Sequence, residues 1–128
     1  MNEKVKYWLD LSDYDYETAL AMQQSGRYLY VGFMCHQTIE KILKAYFSSV
    51  NTEPAPFTHS LSYLAKKAGI YDSFTNEFKD FIDLLEPLNI EARYPSHKEK
   101  LLQGLTKKKC EEILKSTNKL QAWIKTKL

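Results

Sequence analysis

Glycine and proline are scarce, four of each in 128 residues, too few for the many turns of a multi-stranded fold. Cysteine is scarcer still. Cys35 and Cys110 stand alone within helical patterns, without metal-ligand spacing, and read as reduced thiols of a cytosolic protein. No apolar run approaches the roughly 18 residues that crossing a bilayer takes. The opening stretch MNEKVKYWLDLSDYDYE is acidic and amphipathic and lacks the apolar core of a secretory leader. A cytoplasmic location is the expectation. A glycine loop for phosphate, a nucleophile elbow and a metal motif are all missing, so neither cofactor nor metal is expected.

What the chain has is helix-forming pattern. Its length suits one domain over residues 1–128, and 44% hydrophobic content suffices for a core. A first helix is expected from about Glu3 to Ser25, with Val5, Trp8, Leu9, Tyr16, Ala19 and Leu20 on one face and Gly26 ending it. Tyr7, Leu11, Tyr14, Thr18 and Met22 form a second stripe, either a dimer surface or a face for another helix of the same chain. A second helix, about Arg27 to Val50, is apolar around most of its circumference and belongs at the centre. Thr58 is placed to cap a short helix from His59 to Ala68, closed by Gly69. A fourth begins near Ser73 and is broken or kinked at Pro87. The last runs from about Leu105 to Lys127. The expected fold is all-α, an up-and-down bundle of four to five helices around two long antiparallel ones.

Charge is unevenly spread. Residues 1 to 97 carry 9 Lys+Arg against 13 Asp+Glu, a net −4, and residues 98 to 128 carry 9 against 3, a net +6. The basic end is either a phosphate-attracting surface or a solvated lysine-rich face.

Three groups of residues carry chemistry that packing alone would not select. Gln37, Glu40, Lys41 and Lys44 recur at i, i+3, i+4 and i+7 and share one side of the second helix. On so apolar a helix, this ridge is expected to face water or a polar cleft. His59, in the first turn of the third predicted helix, feels the positive helix end, which favours a neutral imidazole. Its alternative is to fix the loop after Phe57. Arg93 and His97, in Arg-Tyr-Pro-Ser-His, pair a guanidinium fork suited to phosphate with a proton-transfer group. Such a pair can cleave RNA through its own 2′-hydroxyl without metal, although a loop arginine also commonly ties down helix ends.

Taken together, these segments resemble the HEPN domain, in the subgroup with an Arg-Tyr-Pro signature. The resemblance rests on Trp8 with DLSDYDYETAL, on GRYLYVGFMCHQTIEKILKAYF, on THSLSYLAKKAG and on Ala92-Arg93-Tyr94-Pro95, and spans roughly residues 5 to 125. It implies a helical homodimer with polar residues of both subunits in a cleft. It also implies one of two activities. Some HEPN proteins are metal-independent ribonucleases, often toxins of toxin–antitoxin pairs, with His four to six residues after Arg. Others partner a nucleotidyltransferase and are thought to bind nucleotide or nucleic acid. Here three residues separate Arg93 from His97, Tyr94 replaces the small polar residue of the nucleases, and Pro95 interrupts the helix on which the nuclease pair usually sits.

The expectation placed first is therefore a dimeric partner of a nucleotidyltransferase that binds nucleotide or RNA through Gln37, Glu40, Lys44, Tyr94 and Arg93, with no membrane contact. The alternatives are a ribonuclease using Arg93 with His97 or His59, and a purely structural interaction domain.

Overall fold

The computed structural model of the chain describes residues 1–91, 99, 100 and 103–128. Its elements are α1 (Glu3–Gln24), α2 (Tyr28–Val50), α3 (Leu61–Ala68), a 3-10 turn (Tyr71–Ser73), α4 (Asn76–Glu91) and α5 (Lys107–Lys125). No strand occurs among the described residues. The all-helical bundle is as the hydrophobic periodicity predicts.

A link of three residues turns α1 back on α2. Gly26 takes φ 76, and the Arg27 N–H reaches the Met22 carbonyl at 2.8 Å. The two helices then run antiparallel along their whole length. α2 is the central element: Val31, Cys35, Ile39, Ile42, Leu43 and Ala45 are fully buried, and α1, α3, α4 and α5 all pack against it. Burying each of the larger aliphatic side chains contributes about 1.5–3 kcal/mol. At one end of the bundle Phe74 and Phe78 meet Trp123 of α5 at ring separations of 5.6 and 5.5 Å.

Three boundaries differ from expectation. The cap of α3 is Ser60, whose hydroxyl accepts from the Tyr63 N–H, while Thr58 accepts from the Ser60 N–H just before it. A carboxylate completes this start: Glu86 Oε1 on α4 accepts from the Leu61 and Ser62 N–H groups at 2.6 and 3.0 Å. Pro87 does not end α4, which continues to Glu91. Ile82, Leu85, Leu88 and Asn89 are buried on both sides of it, and that packing outweighs the lost backbone bond. Phe74 lies ahead of α4, in the segment after the 3-10 turn. Among the described residues no helix is long and apolar enough to cross a membrane.

Candidate functional site

The hydrophilic ridge of α2 is where the structure departs most from the sequence expectation. Its residues do share one side, but that side is covered. Glu40 is 2% exposed, Lys44 7% and Gln37 9%. The covering groups come from other helices. Trp8 of α1 lies over Lys44, with the ammonium 5.1 Å from the ring centroid. Asp15 of α1 takes Lys41 at 2.8 Å. Asn89 of α4 accepts from the Gln37 side-chain amide at 2.7 Å, and the Gln37 oxygen accepts from Lys41 at 2.8 Å. The ridge is a polar seam largely covered by neighbouring helices.

Burial of these charges is sustained by pairing. Lys44 Nζ donates to Glu40 Oε2 at 3.2 Å. His59 Nδ1 lies 2.9 Å from Glu40 Oε1, which places a proton on Nδ1, because a carboxylate oxygen only accepts. The His59 side chain is 52% exposed against 3% for Glu40, so the seam reaches solvent at this imidazole. Its Nε2 is the ring nitrogen that Glu40 does not engage. His59 lies outside the first turn of α3, before its Ser60 cap; its partner is therefore the Glu40 carboxylate and not the helix end.

A second histidine sits behind the first. His36, one turn before Glu40 on α2, is fully buried. Its Nδ1 stands 3.8 Å from Glu40 Oε1, too far for a hydrogen bond. Neither ring nitrogen has a partner in full hydrogen-bond geometry among the described residues, although the His59 backbone lies close enough to act on the ring. Burial drives its pKa down to about 4, against the opposing pull of the Glu40 carboxylate. His36 is therefore a neutral ring at physiological pH.

A further polar layer ties α1 to α2 and α5. Ser12 donates to the Thr38 carbonyl at 2.7 Å and accepts from Gln121 at 2.9 Å, and Lys125 donates to Asp13 at 2.6 Å. Cys35 and Cys110 are free and buried. Burial pushes their thiols up to about 12 and about 11, so neither is a nucleophile. Among the described residues no three His, Cys, Asp or Glu side chains are grouped to hold a metal ion.

The structure thus brings together Gln37, Glu40, Lys44 and His59 of the sequence candidates. Arg93, Tyr94 and His97 lie outside the described residues. Asp15, Trp8 and Asn89 are partners that the sequence reading did not assign to the ridge. One signal for Asp15 was present: Val5, Ser12, Asp15 and Ala19 follow a seven-residue repeat, and all four are buried. Polar side chains in such a buried register require partners on the facing helix.

The architecture and this seam define an all-helical domain with its polar chemistry threaded through the central helix. The HEPN domain model matches residues 5–127, and the chain belongs to the HEPN family. Its fold is similar to that of TT1696 from Thermus thermophilus, a crystal structure with which it shares a TM-score of 0.84 and 20% sequence identity. That match covers 99% of this chain and 100% of the other. No curated protein matches the chain.

Proposed function

We propose that the chain is a dimeric HEPN module that binds nucleotide or RNA beside a nucleotidyltransferase partner. One observation carries the reading. The Lys44–Glu40–His59 chain opens to solvent at a single imidazole, on the side of α2 to which Asn89 secures α4. Asn89 is four residues before Arg93 in the sequence, and the reading requires the arginine to reach this opening. A guanidinium there would hold a phosphate through its planar fork, with Tyr94 beside it and His59 offering its second ring nitrogen. Gln37, Glu40 and Lys44 would act as the frame, since their own polar atoms are occupied with one another.

The pairing of His59 with Glu40 favours a second reading. A buried carboxylate that fixes one ring nitrogen and leaves the other free is how an imidazole is oriented for proton transfer. With Arg93 on the phosphate and His59 or His97 as acid or base, such a site would cleave RNA without metal.

Both readings are tested by titrating the purified protein with a short single-stranded RNA and with ATP, in EDTA at low salt, beside Arg93→Ala. Saturable binding that weakens as salt rises is expected, with the RNA intact. Arg93→Ala should weaken binding by about tenfold or more, the value of a lost charge-assisted phosphate contact. Absence of binding, or equal binding by the variant, contradicts the proposal. RNA cleavage that disappears in Arg93→Ala and His59→Ala would establish the second reading in its place. Co-purification with a short nucleotidyltransferase from the adjacent reading frame checks the partner.

A further inference from the structure

His59 is where the polar seam meets solvent, and its hold on Glu40 is half open to water, the side chain being 52% exposed. A contact in that setting competes with water and fixes a ring only weakly. Where the ring stands is then decided by the backbone that carries it. α3 does not secure that backbone from its own sequence. Its first turn contains no acidic residue, and Tyr63 stands where a capping box would have Glu or Gln.

The missing carboxylate comes from α4. Glu86 Oε1 accepts from the Leu61 and Ser62 N–H groups at 2.6 and 3.0 Å, two and three residues after His59. Bonds from backbone N–H to a carboxylate are about twice as strong as neutral ones. At a helix start the carboxylate also meets the favourable end of the dipole. The two carboxylates around His59 share one support. Glu40 is on α2, and Glu86 is on α4, which is held to α2 by the fully buried Ile82 and Leu85 and by the Gln37–Asn89 bond at 2.7 Å. One grips the imidazole and the other the chain just after it.

We propose that Glu86 is a positioning residue of the site: through the first turn of α3 it sets where the His59 ring stands, and so how tightly an anionic ligand is held. The inference rests on the reading of His59 as the ligand-facing group. Glu86 acts through the Leu61 and Ser62 N–H groups and not on the ligand. Its removal should leave α3 docked, because Leu61, Leu64 and Ala65 are fully buried in the core. What it frees is the more exposed stretch ahead of them, where the Thr58 and Ser60 hydroxyls give the local ties that remain.

The test follows Glu86→Ala and Glu86→Gln by NMR of the His59 ring nitrogens, by binding of a short single-stranded RNA in EDTA at low salt, and by circular dichroism. The wild type should show one tautomer, with the proton on Nδ1. In Glu86→Ala the two tautomers should mix and RNA binding should weaken by about tenfold, with the helical signal retained. Glu86→Gln should recover most of the loss, because its amide oxygen accepts the same two N–H groups. Glu86→Asp, which draws the carboxylate back by one methylene, replaces the alanine variant if that one does not fold and should move both readouts in the same direction. A purely structural cap would lower stability and leave tautomer and affinity alone; that result overturns the inference. So does a glutamine variant as impaired as alanine, which would place the effect in the charge and not in the bonds to α3. A wild type that binds no RNA overturns the proposed function, and the inference with it.

Discussion

Replacing Glu40 by alanine is expected to destabilise the fold by about 3–5 kcal/mol, the cost of leaving a buried charge without its partner. The carboxylate is 2% exposed and holds two groups at once, Lys44 at 3.2 Å and His59 at 2.9 Å. Without it, the Lys44 ammonium remains enclosed beneath Trp8 with, among the described residues, only the ring face to stabilise it. The loss belongs to the stranded partner more than to the pair. A double replacement, Glu40→Leu with Lys44→Leu, removes both charges together and should recover most of the stability, because a buried ion pair contributes little beyond well-packed apolar groups. Chemical denaturation of the wild type and the two variants separates these outcomes. A Glu40→Ala change under about 1 kcal/mol would mean that the seam is open to water.

Acid should weaken the fold through His36, and the sign follows from its burial. The folded ring is held at a pKa of about 4, whereas the unfolded chain titrates near 6.5. Between these values the unfolded state binds more protons, so stability rises with pH. The contribution is fully present above about 6.5 and is lost as pH falls through that window towards 4. Its total is about 3 kcal/mol. His36→Leu should flatten this part of the stability–pH curve, whatever its effect on stability at pH 7. Other carboxylates titrate in the lower part of the same range, so the informative quantity is the difference between the two curves. Parallel curves would show that His36 is solvated or protonated in the folded state.

The fold was readable in the sequence because α2 is apolar around nearly its whole circumference, a pattern that only a central helix tolerates. The membership of its polar ridge was readable for the same reason: spacing alone puts Gln37, Glu40, Lys41 and Lys44 on one side. What covers that side was not. Periodicity tells which residues share a face and is silent about their neighbours, and here the cover comes from Asp15, Trp8 and Asn89, each far away in sequence. The start of α3 was missed for a tertiary reason. Thr58 and Ser60 both have the hydroxyl of a cap, and the choice between them fell to Glu86, a residue 24 positions after Ser62. Of the break or kink expected at Pro87, the break does not occur, because local propensity yields where tertiary packing holds both flanks.

On the proposed function, an anionic ligand meets the seam at His59 and not at His36. Imidazole ¹⁵N and ¹H resonances, followed by NMR during titration with a short single-stranded RNA or ATP, test it most directly. His59 is expected to report Nδ1 protonated in the free protein and to shift as ligand is added, while His36 remains neutral and nearly unmoved. Binding that leaves the His59 ring unchanged, or that perturbs His36 instead, would contradict it.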